Sequence, residues 1–243
     1  MRREDAPQFI CVSDAETSGI DIENDRIVTF YAMVQSITGE VIREQSWVID
    51  PGVEIPQGAS DVHGMTTEWV RENGRKDVDK AIAEIADFHT DAVLKGIPLV
   101  GYNHAFDLGM LDNEVMRHNK VSLMPRVLLR EPMFFDPLIY DRATDKYRKG
   151  GRKLMDVAWH YGIQIDESKL HDAKYDVIVT AKLAWILLQK SKWTVQELQS
   201  LQKQWKSEWA CHLTEYFDKV DKREDDGSKI IVDGSFPYRG ASE

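Results

Sequence analysis

Thiols are scarce in this chain, whose 243 residues include only two cysteines, Cys11 and Cys211. One falls on an expected strand and the other on an expected helix. Two are too few for a disulfide framework, and a reducing cytoplasm is the expected setting. Long apolar runs are missing too. None approaches the roughly 20 residues that cross a bilayer, so no membrane partner is expected. The opening "MRREDAPQF" has two arginines but no apolar stretch behind them, and does not read as a secretory signal. Positive charge is in short supply: 31 Lys and Arg against 41 Asp and Glu leave a net charge of −10. That balance argues against a sequence-independent clamp on nucleic-acid phosphates. It leaves room for an enzyme whose carboxylates hold metal ions that in turn meet the phosphate. Internal repeats and low-complexity segments are absent as well.

What is present is globular, with 42% hydrophobic and 30% charged residues, enough for one sizeable core. Residues 8–14, 26–36 and 41–49 have strand character, and the Gly-containing turn at 38–40 makes antiparallel hairpins the expected pairing. Pro51, Gly52, Pro56 and Gly58 mark a loop over 50–60. From residue 77 the period changes: Val78, Ile82, Ile85 and Ala86 recur at helical spacing up to Gly96. A short buried strand is expected at 97–103, a helix with Phe106, Met110, Leu111 and Val115 on one face, and a strand at 132–136. Two more helices follow, one through Leu154, Val157, Ala158 and Tyr161 and one through Val177, Ala181, Ala184 and Leu188. Three antiparallel strands followed by alternating helix and strand predict a mixed α/β sheet covered by helices. Past Lys190 the character shifts, so residues 1–190 and 191–243 are expected to form a main domain and a helical extension with a short tail. Thr194 and Glu197 fit a capping box, and Leu198, Leu201, Trp205, Trp209, Leu213, Tyr216 and Val220 continue one stripe. So apolar a stripe must bury against the body, a second copy or a partner.

The first strand ends in "SDAETSG", where Asp14 and Glu16 lie two apart and point the same way. Side-by-side carboxylates repel unless a cation lies between them. Asp-x-Glu by itself is weak, since it also occurs at Asp21/Glu23 and Asp112/Glu114, in a polar loop and in mid-helix. Asp107 falls in the first turn after the 97–102 strand, where a plain helix N-terminal acid would also be at home. His171 and Asp176 stand five apart, a relation none of the other six histidines has to an aspartate. Taken one at a time, each has an ordinary reading, and jointly they do not. A sheet end and two helix starts can converge, hard divalent cations prefer oxygen ligands, and a histidine titrates near neutral pH.

These residues carry a resemblance. "VSDAETSG", "GYNHAFD" and "HDAKYD" resemble the three motifs of the DEDD exonucleases, in the DnaQ-like branch that carries His (DEDDh). "IPQGASDVHGMT", 55–66, resembles the loop that the proofreading branch carries after its third strand. Ser18 stands where Thr is usual. The match spans roughly residues 8–189, and all five catalytic positions are filled. The resemblance implies an RNase H-like fold and 3′→5′ exonuclease action that releases nucleoside 5′-monophosphates from single-stranded or frayed DNA ends. It implies two Mg²⁺ or Mn²⁺ ions held by Asp14, Glu16, Asp107 and Asp176, with Asp14 bridging them, and His171 as general base. Thr17 and Ser18 would meet the terminal nucleotide, and His63, Gly64 and Met65 would line the pocket of its base, although Met65 fits the core equally well. Asn103 would orient the second motif through hydrogen bonds. DNA is favoured over RNA on the "HGMT" loop alone. The alternatives are an RNA-trimming or oligoribonuclease-like enzyme and a non-catalytic accessory module. Residues 191–243 lie outside the family pattern, where a polymerase partner or self-association would act.

Overall fold

The computed structural model describes residues 6–119, 123, 127, 130–169 and 171–239, so residues 1–5 and 240–243 of the two ends lie outside it. Five strands form one sheet in the order β3-β2-β1-β4-β5. β1 (Phe9–Thr17), β2 (Ile27–Ser36) and β3 (Val41–Val48) pair antiparallel, as the hairpin spacing predicts. β4 (Leu99–Val100) and β5 (Phe134–Phe135) add in parallel on the other side of β1. Both are shorter than the apolar runs suggested, because only two residues of each complete a ladder.

Alternation along β1 sorts its side chains between two cores. Cys11 faces α3 (Val78–Leu94) and α4 (His104–Asn119), among Ile82, Ile85, Phe88, Leu108 and Leu111. Ile10 and Val12 face the opposite layer, where Val177, Ala181, Ala184 and Leu188 pack. Those residues belong to α7 (Ala173–Lys190), beside α6 (Leu154–His160). Helices on both faces are what a central strand buried along most of its length requires. β3 is the exposed edge, and charged Arg43 and Glu44 on it discourage pairing with another chain.

Three short helices depart from the sequence expectation. α1 (Gln57–His63) occupies part of the segment read as loop, and buries no residue. α2 (Thr67–Asn73) buries only Val70, so neither helix has a periodic apolar face to betray it. α5 (Pro137–Thr144) begins at a proline that accounts for itself: Asp136 caps the helix by accepting from the Leu138 N–H, and Pro137 fills the first turn.

α8 (Val195–Lys219) starts at the expected capping box, with Glu197 N–H donating to Thr194 and Thr194 N–H to Glu197. Its buried face is Val195, Leu198, Gln202, Lys206 and Ala210. The expected stripe therefore holds only in its first half, since Tyr216 and Val220 are more than half exposed. The helix seats on the edge of β5. The Gln202 amide donates to the Phe134 carbonyl at 3.0 Å and accepts from the Asp136 N–H at 2.7 Å. One side chain thus satisfies the edge as a sixth strand would. The tail then returns: Phe236 packs edge-on to Phe134, and Arg239 N–H donates to the Ala105 carbonyl.

Gln202→Leu keeps the volume but leaves a buried N–H and a buried carbonyl unpaired, each worth about 1–3 kcal/mol. A loss of about 2–4 kcal/mol in urea unfolding is expected on that basis. A loss below about 0.5 kcal/mol, the size of an ordinary surface change, would show that α8 is only loosely seated.

Candidate active site

Asp14 and Glu16 continue the Ile10 and Val12 face of β1, which α7 covers. β4 ends at Val100, so β1 from Ser13 onward has no partner on that side. A bulge between Glu16 and Thr17 then turns the strand end. The result is a crevice at the carboxyl end of the central strand, where β1 meets an antiparallel neighbour on one side and a parallel one on the other. Asp176 enters it from the first turn of α7. Asp107 enters from the first turn of α4, on the other layer, and is only 4% exposed. His171 stands in the turn before α7 at φ +65°, exposed, its left-handed backbone aiming the ring across the helix start. Metal-ligating atoms of Glu16, His171 and Asp176 lie within 4.8 Å of one another, a grouping found among the described residues.

The crevice is largely buried and negative. Burial lifts Asp14 well above the usual carboxylate range, and Asp176 pushes it the same way. Glu16 is pushed up to about 9 by burial, then by Asp14, Asp176 and Asp172. Asp107 is raised well above its ordinary value by burial and then by Asp14, partly offset by its own amide and that of Ala15. Burial raises Asp176 also, against the field of His171. No lysine or arginine is among the groups that shift these acids. One oxygen of Asp176 is buried without a hydrogen-bond partner. Four crowded carboxylates, no lysine or arginine among the described groups that shift them, and an unpartnered oxygen suit a hard divalent ion.

A consequence follows for the metal-free protein. Carboxylates whose folded pKa lies above the unfolded value bind more protons when folded, so their contribution is full below about pH 4 and is lost as pH rises toward the folded values, about 9 for Glu16. In EDTA the melting temperature is expected to fall from pH 5 to pH 9 by at least about 5 °C, each kcal/mol being worth about 2–4 °C at this size. Mn²⁺ should remove that slope. A flat profile in EDTA would mean the acids are not held together.

The remaining expected residues gather around the cluster in different ways. Thr17 donates its hydroxyl to the Gly19 carbonyl, and buried Ser18 donates to Asp25, so both fix the turn after β1 and leave their main chain beside the acids. His63 ends α1, and Gly64 at φ +77° closes it in the left-handed region. The His63 ring accepts from the Met65 N–H, lies beside Thr17, and has its pKa lowered mainly by burial. With His171, Asp172, Tyr175 and Ile178 it lines a cavity of about 470 Å³. Met65 leans on the small cluster of Val28, Ile55 and Val70. Asn103, at φ +60°, donates its N–H to Asp136 rather than reaching the acids.

Two residues were not singled out from the sequence. Asp136 accepts from the N–H groups of Asn103, His104 and Leu138, tying the start of α4 to the end of β5. Its signal was legible, an Asp directly before Pro at a helix start. Asp172 caps α7 through the Tyr175 N–H and adds its charge to Glu16 and Asp176. Beneath the cluster, the Ser13 hydroxyl bridges the buried rings of His89 and His104 at 3.0 and 3.1 Å. Burial lowers these rings to about 4 and about 3, so both are neutral and position β1 without adding charge.

The sequence pattern of the exonuclease family (RNase_T) matches residues 11–184. The PolC-type DNA polymerase III of Clostridium perfringens is 29% identical over 181 residues, 74% of this chain but 11% of that protein. Its Streptococcus mutans counterpart is 26% identical over 182 residues, again 74% of this chain and 11% of the polymerase. Among solved structures, a zinc-bound complex of Escherichia coli exonuclease I with single-stranded DNA superposes with TM-score 0.67 at 22% identity, covering 81% of this chain and 43% of that one. Exonuclease I of Methylocaldum szegediense gives 0.61 at 20% identity, covering 79% and 43%. At such identities the structural likeness shows the fold, which is the RNase H-like one. The chain spans about a tenth of the polymerases and under half of the solved chains. With the family pattern over most of its length and all five motif residues in one crevice, the chain belongs to the exonuclease family, in its DEDDh, DnaQ-like 3′→5′ branch.

Proposed function

We propose that this domain removes nucleotides one at a time from the free 3′ end of single-stranded DNA by metal-assisted hydrolysis. The observation that carries the reading is the convergence of Asp14, Glu16, Asp107 and Asp176 with His171 at the end of β1. The four carboxylates would hold two Mg²⁺ or Mn²⁺ ions, Asp14 lying between Asp107 and Asp176. Bound there, such ions supply Lewis-acid polarisation and an acidified water. His171 takes the proton of the attacking water at its ring nitrogen. The water oxygen bonds to phosphorus, the bond to the 3′ oxygen breaks, and that oxygen takes a proton to become the new 3′-hydroxyl. The product is a nucleoside 5′-monophosphate. The main chain of Thr17 and Ser18 holds the terminal nucleotide, and the cavity between His63 and His171 receives it. Asn103, through Asp136, sets the start of the helix that carries Asp107. DNA is supported by the "HGMT" loop and by relatives that are DNA polymerases or were solved with DNA.

Single strands of DNA and RNA labelled at the 5′ end, incubated with Mg²⁺, Mn²⁺ or EDTA, test this. A ladder shortening from the 3′ end of DNA, abolished by EDTA and by a 3′-phosphate, is expected. Faster loss of RNA would reassign the substrate, and nicking of closed circles at a comparable rate would overturn the exonuclease reading.

A further inference from the structure

Helices α5 and α8 and the segment after α5 line a second cavity of about 530 Å³. Its walls include Arg142, Lys146, Arg152, Lys206, Trp205 and Trp209. In a chain of net charge −10 this concentration of cations is unusual. More telling is that two of them stand outside any close ion pair. Lys206 is 5% exposed, and among the described residues no carboxylate lies within ion-pair distance of it, Asp136 and Asp233 acting on it only from farther off. Its ammonium sits 5.2 Å over the Trp209 ring, and the Arg142 guanidinium 4.1 Å over the same ring. Arg142 has no ion pair among the described residues either, and feels Asp136 and Asp141 only from farther off. Arg148 and Arg152 differ, since both bind the buried Asp141 carboxylate. Glu208 is the carboxylate of the lining, and it accepts from Gln204.

Cations held from water with their nearest carboxylates beyond ion-pair distance keep hydrogen-bonding capacity and charge to spare for an anionic ligand. Burial is the largest cause lowering the pKa of both Arg142 and Lys206, the mark of cations held away from water. The elements that line the cavity are also tied to the sheet end that carries the carboxylates. The Tyr102 hydroxyl donates to the Arg152 carbonyl at 2.5 Å, and Tyr102 directly precedes Asn103 and the start of α4. Asp136, which holds that start, directly precedes α5. Cations interleaved with indole rings, on elements that start at the sheet end carrying the carboxylates, suit the sugar-phosphate backbone of a single strand.

We infer that the Arg142–Lys206–Trp209 cavity holds a backbone phosphate of the nucleic-acid strand upstream of the 3′ end in the carboxylate crevice. For the position of that 3′ end the inference rests on the function proposed above. An acidic peptide would also satisfy the cations, but nothing on the carboxylate side of the cavity calls for one.

Fluorescence anisotropy tests it, with Asp14→Asn as the non-cleaving parent in Mn²⁺. Labelled strands of two and of about twelve nucleotides, spanning the site sizes common for single strands, are compared. The parent should bind the long strand far more tightly. Lys206→Gln, Arg142→Gln and, on the exposed rim, Lys146→Gln should each shrink that gain about tenfold. Each should also lower the slope of log affinity against log salt by about 0.7, the single-strand value per phosphate contact. Equal weakening of both lengths, or no weakening, would overturn the inference. So would loss of affinity for an aspartate-rich peptide with the strand unaffected, which would assign the cavity to an acidic protein. Failure of the unmutated enzyme to shorten any strand would overturn the exonuclease reading instead, because this comparison is read from binding.

Discussion

Asp14→Asn is expected to lower nucleotide release by at least about 10³-fold, the loss of several kcal/mol of charge stabilisation at the reacting phosphate. Asp14 lies between the two halves of the cluster, its charge felt by Glu16 on the same strand and by Asp107 on α4. Asparagine keeps the shape and removes the charge, so no other acid can replace it. The fold should survive, since burial and Asp176 both disfavour the charged form of this residue. In EDTA at pH 8 the variant should melt no lower than the wild type, and the stabilisation by Mn²⁺ should shrink. Turnover near wild type would remove the metal reading.

His171→Ala should cost about 10²- to 10⁴-fold in rate, the usual span for a lost general base. Here the geometry makes the test sharp, because His171 lies within ligating reach of Glu16 and Asp176. If it serves as base, calorimetry with Mn²⁺ should give nearly the wild-type heat, and raising the pH should restore part of the rate as hydroxide replaces the lost base. If ion binding falls together with the rate, His171 is a ligand.

Much of this site was legible because its residues sit at ends of strongly patterned elements. β1 is apolar up to Val12, so Asp14 and Glu16 stood out as acids that no buried strand should carry without a partner. Asp107 and Asp176 fall in the first turns of helices whose apolar periods were plain. Less was legible where burial leaves no periodic mark. α1 presents no residue to the core, so Pro56 and Gly58 gave only a loop signal. α8 offered an aromatic stripe, and Leu198 and Trp205 do pack on the core, yet the contacts that join it to the β5 edge are polar. Gln202 completes β5 and Lys206 is buried beside the second cavity, and neither would be placed inside by hydropathy. The seat exists because β5 is an edge two residues long, a fact of topology that no local pattern encodes. The Ser13, His89 and His104 network was hidden for the same reason, as its members are far apart in sequence.

On the proposed function, the acids at the end of β1 would hold the ions that hydrolysis needs. Anomalous diffraction from crystals grown with Mn²⁺ and a nucleoside 5′-monophosphate tests it most directly. Manganese peaks are expected among Asp14, Glu16, Asp107 and Asp176, with the phosphate of the nucleotide against them and His171 facing the same phosphate. An active enzyme whose crystals show that crevice empty and manganese bound elsewhere would contradict it.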